Sequence, residues 1–139
     1  MAIPKHKRYL NLLIIFITLF VSSCEKGPGE GGSAKIGGKV IIEDYNFDFT
    51  ILRDTYPAQD YDVYIIYGDE PYYGDKVATS YDGYFEFSYL REGSYTIFAY
   101  SKDKSFDYNT TSELVAIKRE VTISSKKQEV IVDDIVVIK

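Results

Sequence analysis

The sequence predicts an all-β domain, a sandwich or barrel of about seven strands, and three observations predict it. From Lys35 onward no segment carries a helical period for more than about two turns. Short β-rich runs instead alternate with turn signals at roughly 8–12-residue spacing. The chain also holds 14 Tyr and 8 Phe among 139 residues, and aromatic and β-branched residues favour strands.

The N-terminus reads as an address. Lys5, Lys7 and Arg8 precede an apolar run from Leu10 to Val21, followed by Ser22, Ser23 and Cys24. A basic start, about a dozen apolar residues and a small-residue cleavage site make a secretory signal peptide, forming a signal helix over 1–23. The run is shorter than the ~20 apolar residues of a spanning helix. Val21-Ser22-Ser23-Cys24 resembles the bacterial lipobox. That resemblance implies cleavage before Cys24 and acylation of its sulfur and its amine by chains such as palmitate. Several chains at ~0.8 kcal/mol per buried CH₂ anchor a protein stably in a membrane.

Removing residues 1–23 takes Lys5, Lys7 and Arg8 from the 16 basic residues and leaves 13 against 21 acidic ones. An acidic chain repels phosphate backbones, which argues against a nucleic-acid partner. Residues 24–34 (Cys24, then EKGPGEGGSA) are Gly-rich and read as a flexible tether ahead of a domain at 35–139. Glu25 and Lys26 partly resemble the acidic export signal of surface lipoproteins. The expected location is therefore the cell envelope, in the outer membrane of a Gram-negative bacterium and displayed at the surface.

Within 35–139 the first strand is expected at Ile36–Asp44, with Val40 and Ile42 on one face. Tyr45–Gln59 reads as irregular, with Pro57 as a breaker. Asp62–Tyr67 alternates cleanly and ends at Gly68, and Asp69–Asp75 is a loop. Lys76–Tyr81 is a third strand. Asp82-Gly83 then predicts a two-residue type I′ hairpin, both of whose central positions need positive φ. Phe85 and Phe87 face the core beyond it. Gly93 marks a second turn, and Tyr95, Ile97 and Ala99 point inward from a strand over Ser94–Ser101. Lys102–Thr111 is a polar loop. Glu113–Ser124 and Glu129–Ile138 complete the set.

Thr79, Asp82, Gly83, Tyr84, Phe85, Glu86, Phe87, Leu90, Gly93, Tyr95, Ile97 and Ala99 together resemble the signature of carboxypeptidase regulatory-like domains. These belong to the transthyretin-like (prealbumin-like, Cna protein B-type) superfamily. The resemblance implies a seven-stranded antiparallel Greek-key β-sandwich, in which Asp82, Gly83 and Gly93 make structural turns and the aromatics fill the core. Some relatives carry a Lys–Asn isopeptide bond promoted by a buried Glu, but Ala99 stands where that acid would be.

Catalysis finds little to work with. His6 is the only histidine and Cys24 the only cysteine, and both belong to the leader or the anchor. This excludes Ser-His-Asp and Cys-His chemistry and an ordinary zinc site, and no phosphate-binding or dinucleotide motif is present. No enzyme activity and no cofactor are expected. Asp60, Asp62, Asp69, Glu70, Asp75 and Asp82 are oxygen ligands of the kind Ca²⁺ takes, but their spacing matches no EF-hand loop. Tyr72 and Tyr73 follow Pro71, with Asp69 and Asp75 on either side, and form the candidate contact loop. Tyr offers broad contact area and a polar tip at low entropy cost. The expected function is a non-catalytic binding or structural module whose partner is an envelope protein or a glycan. The alternatives are a carbohydrate-handling accessory protein and an adhesin or assembly subunit. The last would use an unpaired apolar edge at Glu129–Ile138.

Overall fold

The computed structural model describes residues 26–105 and 113–139. The expected signal peptide at 1–23, Cys24 and most of the expected 102–111 loop lie outside these residues. The described chain is all-β, with nine strands in two facing sheets. They are β1 (Glu30–Tyr45), β2 (Leu52–Pro57), β3 (Asp62–Tyr67), β4 (Asp75–Ala78), β5 (Tyr84–Leu90), β6 (Gly93–Lys102), β7 (Leu114–Ile123), β8 (Glu129–Ile131) and β9 (Ile135–Ile138).

β1 is the hub of the five-stranded sheet. Its first half pairs antiparallel with β5 and its second half with β2. Val40 donates to the Gly83 carbonyl and accepts from Ala58, so β5 and β2 share one flank of β1. The other flank takes β8 and then β9, both parallel. The second sheet runs β4-β3-β6-β7. Alternation places Ile36, Val40 and Ile42 of β1, Phe85 and Phe87 of β5 and Ile135 and Val137 of β9 inward from one sheet. Val63 and Ile65 of β3 meet them from the other, with Tyr95, Ile97 and Ala99 of β6. Full burial of such a side chain is worth ~1.5–3 kcal/mol.

Nine strands replace the expected seven for two reasons. The 45–59 stretch contains β2, whose LRDTYP is almost entirely exposed and so shows no apolar face to read. Pro57 ends that strand rather than forbidding it, because Pro is tolerated at a strand's end. The final run divides at Val132-Asp133-Asp134. There the carbonyls of Asp133 and Asp134 accept from the Arg119 guanidinium at 3.3 and 2.6 Å. Among the described strands β8 and β9 pair only with β1, so Glu129–Ile138 is an outer edge of the five-stranded sheet, with Ile131 and Val136 exposed along it, and the sandwich is not purely antiparallel.

The Asp82-Gly83 turn also differs from expectation. β4 stops at Ala78 and pairs with β3, whereas β5 pairs with β1, so the turn carries the chain between sheets. Gly83 donates to the Ser80 carbonyl at 2.9 Å, and Ser80 donates to that of Tyr84 at 2.8 Å. The tight turn is thus Ser80–Gly83 with Gly83 last. Gly83 alone has positive φ (+78°), so this is not type I′. Buried Thr79 braces it, accepting from Tyr61 N–H at 2.9 Å and donating to the Ala58 carbonyl.

The supposed tether is folded from Gly27 onward, so the free tether over 24–34 is corrected. Arg91 Nε donates to the Gly27 carbonyl at 2.8 Å, Arg91 Nη1 donates to that of Glu30, and the Arg91 N–H donates to Gly29 at 2.9 Å. Gly29 N–H donates to the buried Tyr95 hydroxyl at 2.9 Å, which itself donates to the Arg91 carbonyl at 2.7 Å. Pro28 lies against Gly93, whose φ is +142° and where a Cβ would fall 2.7 Å from Pro28 Cβ. Ala34 is buried. A glycine run has no side chains to pack, but its backbone groups are satisfied by a guanidinium and a phenol.

Candidate functional site

The outer face of the four-stranded sheet is built from the even positions of β3 and β6. Tyr64 stands directly opposite Phe98, and the two rings stack with centroids 5.0 Å apart at 15°. Tyr100, two residues on, meets both edge-on, at 5.6 Å from Tyr64 and 5.5 Å from Phe98. Tyr73 reaches up from the loop after β3 to make a T-shaped contact with Tyr64 at 4.9 Å. The four rings therefore form one continuous cluster around Tyr64. Phe98 points to the solvent side of its sheet yet is only 6% exposed, because its neighbours cover it. Tyr61 donates its hydroxyl to the Tyr100 carbonyl and extends the cluster toward Asp60 and Asp62.

The rim of this cluster is charged. Lys76 of β4 donates to Asp62 at 2.8 Å, and this carboxylate holds the lysine above its usual pKa. Burial, then the nearby Asp62 charge, raises the Tyr64 phenol. Tyr67 is pushed to about 12, by burial first and then by the carboxylates of Glu30 and Asp75; its hydroxyl donates to Glu30 at 3.3 Å. The phenols of Tyr64 and Tyr67 therefore stay neutral donors at physiological pH.

Of the sequence-predicted loop, Tyr72, Tyr73 and Asp69 line one open cleft of about 820 Å³, closed on its far side by Gly27 and Pro28. Tyr72 is 80% and Tyr73 54% exposed. Asp75 opens β4 outside that lining and accepts from the Lys76 N–H at 2.8 Å. Asp82 sits in its turn, where the Ser80 hydroxyl donates to it at 2.6 Å and holds its carboxyl below the usual range. Among the described residues no three acidic, histidine or cysteine side chains gather as a metal would require.

Phe98 and Tyr100 escaped the sequence reading as site residues, although a parity signal was present. They occupy the outward positions on either side of the inward-pointing Ala99. Two consecutive outward aromatics beside an outward Tyr64 mark a face that is not merely solvated.

No protein-family model matches the chain, and no curated protein matches it. A crystal structure of a "putative carbohydrate binding protein" (PA1324) from Pseudomonas aeruginosa is similar at a TM-score of 0.47 with 15% identity, over 76% of this chain and 90% of that one.

Proposed function

We propose that this chain is a non-catalytic glycan-binding module, carried on a lipid anchor at Cys24 in the outer membrane and built on a transthyretin-like scaffold. The observation that supports the reading is the aromatic cluster on one sheet face, in which Tyr64, Tyr73 and Tyr100 offer surface and the covered Phe98 supports them from beneath. A sugar ring is a flat body with an apolar C–H face and a hydroxyl rim. Ring faces with negative quadrupoles accept the first. Asp62, Asp69 and the tyrosine hydroxyls accept from or donate to the second. An open aromatic cluster on a sheet face suits an extended chain of sugars, whereas a deep cavity would select a single small ligand.

The test is calorimetric titration of the folded domain with soluble hexasaccharides of glucose, xylose and N-acetylglucosamine. At least one should bind. Tyr64→Ala should weaken it roughly tenfold, the loss of one aromatic contact of ~1–1.5 kcal/mol. The sugar should be recovered intact after long incubation. Absence of binding across the panel would remove the glycan reading, and cleavage of the sugar would remove the non-catalytic one.

A further inference from the structure

The docking of residues 27–34 has a geometric consequence at the membrane. Between Cys24 and the first clasped residue, Gly27, stand only Glu25 and Lys26. Three residue steps span at most ~11 Å even when fully extended. A free segment through residue 34 would have an r.m.s. reach of about 15–20 Å. The headgroup region on one side of a bilayer is ~5–7 Å deep. A domain held this closely cannot stand clear of the surface.

The same clasp fixes which end faces down. Around the point where the chain leaves the fold lie Lys26, Arg91, Glu92 and Lys126 on one side and Asp69, Glu70 and Tyr72 on the other. β1 then runs 16 residues away from this end, up to about 50 Å at ~3.3 Å per residue, to the 46–51 loop at its far side. Resting on the lipid-anchor reading of Cys24, we propose that the clasped end of the sandwich lies against the lipid headgroups, with Tyr72 and Lys126 at the contact. Tyrosine is an interfacial residue, apolar in its ring and wet at its hydroxyl. Lys126 gives that rim a cation for lipid phosphates, beside Lys26. The aromatic cluster, on the outer face of the four-stranded sheet, then faces sideways over the membrane rather than away from it.

The chain contains no Trp, so a single introduced Trp reports its own surroundings. Full-length Tyr72→Trp and Phe47→Trp are produced in a bacterial host, purified with their lipid and placed in phosphatidylcholine vesicles containing headgroup spin-labelled lipid. Phe47, at 99% exposure, is the far-end control. Glu92→Trp serves as a second near-end probe if Tyr72→Trp does not fold. Near-end fluorescence should be quenched at least twofold more than that of Phe47→Trp. Adding Arg91→Ala, which releases the clasp, should shrink that difference. Mass spectrometry of Cys24 separates the two readings. An acylated Cys24 with equal quenching at both ends overturns the orientation and leaves the anchor. An unmodified Cys24 removes the anchor and the orientation with it.

Discussion

On the outer face of the five-stranded sheet, Lys35 of β1 meets Glu86 of β5 at 3.1 Å, beside Tyr84, Lys39 and Gly37. On the outer face of the four-stranded sheet, Tyr64 of β3 meets Phe98 of β6 ring on ring. Both faces obey the same two-residue alternation and cover the same core. One carries Lys35, Lys39 and Glu86 in contact with water, with Ile131 and Val136 exposed beside them. The other places a phenylalanine there and must then cover it. Burial on a nominally solvent-facing position separates a face that is used from one that is only wetted.

The sharpest way to break this contrast is Phe98→Ala. Removing a covered ring should cost ~3 kcal/mol by urea unfolding, as in a core. A loss below ~1 kcal/mol would make the cluster an ordinary surface. Next in size is the turn that passes the chain from one sheet to the other. At Gly83 a Cβ would lie 2.5 Å from the Val40 carbonyl oxygen, with φ at +78°. Gly83→Val should therefore cost ~2 kcal/mol or more, and an unchanged melting temperature would show that the turn tolerates strain.

Alkali distinguishes the sheets more gently. The Tyr67 phenol is raised to about 12 in the folded chain, against ~10 when unfolded. Its stabilising contribution is thus complete below pH ~10 and declines as pH rises through about 12, because the unfolded chain loses the proton first. Tyr67→Phe should flatten that part of the stability profile, as followed by tyrosinate absorbance and circular dichroism. The smallest effect belongs to the charged face. Lys35→Gln should leave the unfolding midpoint and the sugar affinity unchanged, since an exposed ion pair contributes little. A clear drop in either would mean that this face is not idle.

Where the pattern carried side chains, the sequence was legible. β3 occupies Asp62–Tyr67, the range set by its alternation and by Gly68, and the inward Phe85, Phe87, Tyr95 and Ile97 lie in the core. Where partners are remote, it was not. β2 has no apolar face of its own and exists because β1 offers it an edge. The glycines of 27–32 look free until Arg91 and Tyr95, more than 60 residues away, are seen to hold them. The 69–75 loop was recognisable as aromatic and exposed. That Tyr73 leans on Tyr64 depends on the path of a loop, which periodicity does not describe.

The parallel pairing of β1 with β8 and β9 sets an order of events for the growing chain. Val40 finds its partner Ile135 only 95 residues later. β1, at the centre of its sheet, therefore lacks one neighbour until almost the whole domain has emerged. Contacts so distant in sequence close slowly, since the loop entropy is lost before the pairing repays it. The five-stranded sheet is therefore completed last, when Ile135–Ile138 reaches the open flank of β1.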